Sequence, residues 1–210
     1  MQNIRGNESK IFFGDLEIMN RLELFPNSVK IENDTLTIAG CDLAELAEQY
    51  GTPYYLYDRA TMDASALDYK TALASRYPAP ASVTYAGKAY LCKAIAQWTQ
   101  LHQLWVDCTG EAEIAIAVAG GVPRERILVH GVNKSAADLK SAIRYAGTIV
   151  VDNLTELERL QELGLSNDLP VLWLRLLPGV AVDTHHAHTQ TGQHDSKFGM
   201  PRAEILEAAL

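Results

Sequence analysis

Ile127-Leu128-Val129-His130-Gly131-Val132-Asn133-Lys134-Ser135 leads into a helical pattern over 135–145, and Thr148-Ile149-Val150-Val151-Asp152 follows. This stretch decides the fold. Two short runs rich in Val and Ile, alternating with a helix of about ten residues, indicate a βαβ unit around a parallel sheet. Working outward, runs of the same kind begin near Ser82, Leu104 and Val171, at a spacing of about 22 residues. Helical patterns fill the gaps at 89–99, 111–119 and 155–163, and a last helix is expected over 202–210. The segment 112–119 is apolar on nearly every face and stops at Gly120-Gly121, with Pro123 beyond. It is expected to pack tightly and to end on a glycine cap.

The N-terminal side reads differently. Residues 29–32 and 35–38 are β-type and flank Asn33-Asp34, a hairpin turn. A short helix follows over 41–48, with Asp42 placed as its N-cap and Gly51 past its end. Gly51-Thr52-Pro53 forces an extended entry into Tyr54-Tyr55-Leu56-Tyr57. Asp58 then caps a long helix over 59–77, closed by Pro78 and Pro80.

Two architectures suit the alternating rhythm, an open doubly wound sheet and a (β/α)8 barrel. No Gly-x-Gly-x-x-Gly follows any strand, which removes the dinucleotide-binding form of the open sheet. Taken as a barrel, the chain is α/β, a (β/α)8 TIM-type barrel with five of its eight units present. Residues 46–210 form this partial barrel and 1–45 a short N-terminal β segment before it. Three units short of closure, such a sheet is expected to be incomplete, with strand edges left to cover.

Composition narrows the function classes. The chain has 210 residues, 48% hydrophobic and 21% charged, which fits a globular enzyme and excludes disordered, collagen-like and disulfide-framework proteins. Eighteen basic residues against 26 acidic ones give a net charge of −8 without a basic patch. That balance argues against nucleic-acid and anionic-membrane partners. Apolar runs such as 171–177 are short and interrupted by Arg175, so no membrane span is expected. The first twenty residues lack the apolar core of a signal peptide. Cys41, Cys92 and Cys108 are odd in number and far apart, as for reduced thiols in a cytoplasm.

Active sites of parallel α/β folds sit at the C-terminal ends of strands. Those ends carry Lys88, Asp107, His130 with Asn133, Asp152 and Arg175, one rim of convergent polar groups. Lys88 follows a strand and precedes a helix, where acids and an apolar wall tune an amine for Schiff-base chemistry with an aldehyde. A solvated lysine at a helix start is the plainer reading. Asp107 and Glu113, six apart, are spaced to balance Lys88; alternatively Asp107 caps the next helix and Glu113 is solvated. Arg175, inside an otherwise apolar strand, needs partners and suits a rim or anion-binding role. Asp183-Thr184-His185-His186-Ala187-His188, with His194 and Asp195 nearby, is dense enough in histidine to suggest zinc. It lacks helical i, i+4 spacing and cysteine partners, so a solvated loop is expected and no metal.

Several motifs in order resemble the fold-type III pyridoxal-phosphate decarboxylases. Tyr85-Ala86-Gly87-Lys88-Ala89 is similar to the family's cofactor-lysine motif, and Gly51–Asp58 to its GTPLYVYD entry segment. Residues 107–114, DCTGEAEI, resemble a DVVSGGEL segment, with Glu111-Ala112 in place of Gly-Gly. HGVNKS at 130–135 resembles HGNNKS, and Thr191-Gly192 followed by Asp195-Ser196-Lys197-Phe198-Gly199 resembles TGxxDSKFG. The last two point to the diaminopimelate branch rather than the ornithine or arginine branches.

The resemblance implies that Lys88 carries pyridoxal 5'-phosphate and that Asp107 and Glu113 hold the displaced lysine. It also puts Arg175 near the cofactor and matches His186 to a histidine before the Thr-Gly pair. It implies decarboxylation of meso-diaminopimelate to L-lysine by a cytoplasmic homodimer. The family's later His-x-Gly-Ser segment, glycine-rich phosphate loop, Glu-Pro-Gly-Arg segment and C-terminal β domain do not occur in the 210 residues. Little activity is therefore expected of this chain alone, and residues 1–45 would join that β domain. A decarboxylase of ornithine or arginine type and a non-catalytic module of the same descent are the competing readings.

Overall fold

The computed structural model describes residues 22–164, 169–179 and 197–209. The chain divides into two compact units, 1–76 and 77–210.

In the first unit, β1 (Val29–Glu32) and β2 (Thr35–Ile38) pair antiparallel, with Val29 opposite Ile38 and Glu32 opposite Thr35. Asn33 and Asp34 both take left-handed conformations, φ 52° and 63°, the backbone that a two-residue hairpin turn with native twist requires. β3 (Cys41–Asp42) extends the sheet beside β2. Asp42 caps α1 (Leu43–Tyr50) by accepting the N–H groups of Ala44 at 2.7 Å and Glu45 at 3.3 Å, and Gly51 at φ 80° ends the helix. Asp58 performs the same service for α2 (Arg59–Arg76), accepting from the N–H groups of Ala60 and Thr61 and the Thr61 hydroxyl. Tyr54–Tyr57, read as β-prone, belongs to no strand. Strand preference needs a neighbouring ladder to be realised.

The second unit is an α/β layer built on five parallel strands: β4 (Thr84–Ala86), β5 (Trp105–Cys108), β6 (Ile127–Val129), β7 (Thr148–Val151) and β8 (Val171–Leu174). Their order in space is their order in the chain, with Tyr85 beside Val106, Asp107 beside Leu128, Val129 beside Ile149 and Val151 beside Leu174. Among these strands the order never reverses, so there is none of the crevice a doubly wound sheet opens at its switch point.

The helices between them are α3 (Lys93–Leu101), α4 (Glu111–Ala119), α5 (Ala136–Tyr145) and α6 (Leu154–Glu162), with α7 (Arg202–Ala208) after β8. The core lies between these helices and one face of the sheet. Val106, Cys108, Ile127, Val129, Ile149 and Val151 meet Ala96, Ile114, Ala117, Leu139, Ala142 and Leu160, all essentially sealed from solvent. Each large aliphatic side chain so buried contributes about 1.5–3 kcal/mol. Alternate strand residues, Trp105, Asp107, Leu128, Val150 and Trp173, turn to the other face and are less buried. On β8, Val171 is 58% and Trp173 49% exposed.

Two sequence expectations change here. The helix expected from residue 89 begins at Lys93, because the chain leaves β4 through a 3-10 turn, Gly87–Ala89. The tightly packed α4 buries Ile114 and Ala117 but leaves Val118 41% exposed. Its glycines are nonetheless needed. A Cβ on Gly120 would lie 2.3 Å from the Ala96 Cβ of α3, and Gly121 takes φ 81°.

Asp138 joins two helix starts. Its Oδ1 accepts the Glu111 N–H at 2.8 Å, and its Oδ2 accepts the Ser135 N–H at 2.9 Å and hydroxyl at 2.6 Å. The Ser135 Oγ accepts the Asp138 N–H in return, completing a capping box on α5. Burial pushes the Asp138 carboxyl up, but these hydrogen bonds outweigh it and hold it below the ordinary carboxylate range. We expect Asp138→Ala to cost about 1–3 kcal/mol at neutral pH. A depressed carboxyl stabilises the fold above its unfolded pKa, so the cost shrinks as pH falls through and below about 3.9. Urea midpoints of both proteins along a pH series check this.

Candidate active site

Each functional side chain is set by the strand it follows. β4 ends in the turn carrying Lys88, closed by the Tyr85 hydroxyl, which donates to the Tyr90 carbonyl at 2.6 Å. Gly87 is buried there because no side chain fits. A Cβ would stand 2.5 Å from the Asp107 carbonyl oxygen and 3.5 Å from Glu113 Oε2. This contact brings Lys88's turn, Asp107 and Glu113 together. Lys88 itself is exposed.

Neither acid matches the plainer reading. Asp107 does not cap α4; its Oδ1 pairs with the Nδ1 of His130, whose ring is the donor to a carboxylate. Glu113 is half-buried and accepts the Thr109 N–H at 2.7 Å, tightening the loop after β5. Between them Cys108 points into the core. Burial, with the Glu113 and Asp107 charges added, pushes its thiol up to about 12, so it is no nucleophile at neutral pH.

The next strand ends are tied in the same manner. Lys134, just past β6, donates to the Val150 carbonyl at 2.8 Å and to Glu156 Oε1 at 2.7 Å. Their side chains are 0% and 3% exposed. Burial pushes the Glu156 carboxyl up while the Lys134 ammonium pulls it back; Glu156 Oε2 is buried with no hydrogen-bond partner among the described residues. Arg175 lies one residue past β8 rather than inside it. Its Nη1 donates to Asp152 Oδ1 at 3.2 Å, and its guanidinium stacks 4.3 Å from the Phe198 ring centroid.

Three side-chain pairs therefore lace the rim: Asp107 with His130 joins the ends of β5 and β6, Lys134 with Glu156 joins the loop after β6 to α6, and Asp152 with Arg175 joins the ends of β7 and β8. Arg175 stands at the opposite edge of the sheet from Lys88. The sequence reading missed Lys134, Glu156 and Phe198 as parts of the rim. It also placed His130 and Asp152 there without their partners. Lys134 lies within HGVNKS and Phe198 within DSKFG, so those motifs were the signal, whereas Glu156 sits in a helical pattern that solvated residues share. His186, the histidine-rich run 183–188, His194, Asp195 and the Thr191-Gly192 pair lie outside the described residues.

The site is thus a parallel α/β sheet with a lysine on the turn after its first strand, and acids and a guanidinium on the strand ends that follow. The chain belongs to the pyridoxal-dependent decarboxylases, matching the model of their pyridoxal binding domain over residues 60–210. It is 43% identical over 167 residues to the diaminopimelate decarboxylase of Bacillus subtilis, covering 78% of this chain and 37% of that protein. It is 38% identical over 180 residues to that of Corynebacterium efficiens, covering 84% and 38%. The crystal structure of diaminopimelate decarboxylase from Helicobacter pylori complexed with L-lysine superposes with a TM-score of 0.69 at 29% identity, covering 80% of this chain and 42% of that one. The chain thus spans well under half the length of the relatives it matches.

Family membership implies pyridoxal phosphate as the cofactor. The residues fit it: an exposed amine on a turn whose glycine leaves no space for a side chain, beside the Asp107 carbonyl and the Glu113 carboxylate. No helix among the described residues is long and apolar enough to cross a membrane.

Proposed function

We propose that this chain supplies the lysine-bearing part of a pyridoxal-phosphate enzyme that decarboxylates meso-diaminopimelate to L-lysine. The observation that carries this reading is Lys88 on its strand-end turn, with Gly87 seated between the Asp107 carbonyl and the Glu113 carboxylate. When bound, the coenzyme supplies the electron sink that lets the α-carboxylate depart. Lys88 would be the residue that holds it. Asp107 and Glu113 would balance the Lys88 ammonium by charge when that amine is free, and His130 keeps the Asp107 carboxylate oriented. Arg175 offers a guanidinium to an anionic edge of the bound molecules.

The wider reading is a (β/α)8 barrel, completed by further units, in a cytoplasmic homodimer with residues 1–45 joining a C-terminal β domain. The sheet face bearing Trp105, Leu128 and Trp173 is apolar enough to suit the interior of such a barrel. The diaminopimelate substrate is supported by the relatives' names and by HGVNKS at 130–135.

Borohydride reduction of the chain with pyridoxal phosphate, followed by peptide mass mapping, tests the attachment. We expect one stoichiometric adduct on Lys88 and none in Lys88→Ala. Labelling spread over surface lysines, or undiminished in the variant, rejects the reading. Carbon dioxide release compared across meso-diaminopimelate, ornithine and arginine, with residues 1–210 in the complete enzyme, tests the substrate.

A further inference from the structure

We propose that Asp152 and Phe198 are positioning residues that clamp the Arg175 guanidinium at the rim, where it meets the anionic edge of pyridoxal phosphate. The inference rests on the reading that Lys88 carries the coenzyme and that Arg175 lines its pocket. Arg175 is the first residue after β8, and a backbone ladder does not fix so long a side chain. Two contacts do. Asp152 Oδ1 accepts from Nη1 at 3.2 Å, and the Phe198 ring lies 4.3 Å from the guanidinium carbon.

The pair is asymmetric. The Asp152 side chain is 4% exposed and that of Arg175 30%. A desolvated carboxylate holds its partner more firmly than a surface one, while the partly exposed guanidinium keeps other N–H donors for a ligand. Phe198 is itself secured to the residue it covers. The Met200 N–H donates to the Arg175 carbonyl at 2.8 Å, and the Leu177 N–H to the Met200 carbonyl at 2.8 Å. Gly199 between them takes φ 78°, and a Cβ there would stand 2.9 Å from the Arg175 carbonyl oxygen. The segment 198–200 thus adds a short backbone ladder beside Arg175 and lays an aromatic face on its side chain.

Pyridoxal phosphate titrations of the chain carrying Asp152→Asn, Phe198→Leu, Arg175→Lys and Asp152→Asn with Arg175→Lys, read by the Lys88-dependent visible absorbance, test the clamp. Solvent exchange of the Arg175 Nε–H, followed by NMR without coenzyme, is the second readout. We expect Asp152→Asn to raise the Kd about tenfold, the size of one charge-assisted hydrogen bond, and Phe198→Leu to raise it about threefold to tenfold through loss of the cation–π contact. The double variant is expected to bind no more weakly than Arg175→Lys alone, and Arg175 exchange to accelerate in both single variants. Additive losses, which a general weakening of the fold would give, or unchanged Arg175 exchange in Asp152→Asn overturn the proposal. Phe198→Leu leaves the buried carboxylate intact, so the test survives if Asp152→Asn fails to fold. An absorbance that persists in Lys88→Ala instead rejects the coenzyme reading, and the exchange data still decide whether Asp152 and Phe198 hold Arg175.

Discussion

Lys134→Met is expected to destabilise the second unit by about 3–5 kcal/mol, because it leaves the Glu156 carboxylate buried without its counter-charge. The pair is sealed from water, and the ammonium also satisfies the Val150 carbonyl. Removing it deprives one carboxylate and one carbonyl together. Glu156 then escapes the penalty only by taking a proton, so its folded pKa rises well above the unfolded value near 4.3. For an acid the sign is definite. A raised folded pKa makes the native state bind more protons, so stability falls as pH rises from about 4.3 through the folded pKa. The deficit of Lys134→Met is therefore expected to be smallest in mild acid and to widen toward neutrality. Replacing both partners, Lys134→Met with Glu156→Leu, is expected to recover most of the loss, since a buried pair gains little over apolar contacts of similar volume. Urea midpoints at several pH values measure all three outcomes, with unchanged m-values marking a pure stability effect. A pH-independent deficit in Lys134→Met would show that Glu156 is hydrated and the pair unimportant.

Gly131→Ala is the second large effect, and its cause is contact rather than conformation. A Cβ at Gly131 would stand 1.8 Å from the Thr109 carbonyl oxygen and 2.8 Å from the Thr109 carbonyl carbon. Both are main-chain atoms at the end of β5, so no flexible side chain can swing aside. One of the two strand-end loops must move, at about 1–3 kcal/mol or more. His130 shares the displacement. Its N–H donates to the Cys108 carbonyl at 3.0 Å, and its ring pairs with Asp107. We expect Gly131→Ala to lower the urea midpoint and also to abolish the downfield NMR signal of the His130 Nδ1 proton. A variant that kept that signal would mean the rim tolerates the shift.

What could be read from the chain itself was local. The Val- and Ile-rich runs near Leu104, Ile127, Thr148 and Val171 became β5 to β8 because alternation and turn chemistry act within a few residues. Asn33-Asp34 and the caps at Asp42 and Asp58 were legible for the same reason. The late start of α3 was not. Nothing in residues 87–92 distinguishes a 3-10 turn from the first turn of a helix, until the Tyr85 hydroxyl closes on Tyr90 across it. Lys88, Asp107, Glu113 and Arg175 could be nominated because strand ends are where sites form.

The partners those residues take were decided by tertiary structure alone. His130 is 23 positions from Asp107, Lys134 is 22 from Glu156 and Arg175 is 23 from Asp152, each about one β/α repeat away. Parallel pairing of neighbouring strands brings the segments that follow them side by side, whereas sequence periodicity records only which way each strand faces. Burial completes the distinction. The same lysine and glutamate would be solvated ions at an open surface, and they become an interdependent pair only because packing shuts out the water that would otherwise compete for them.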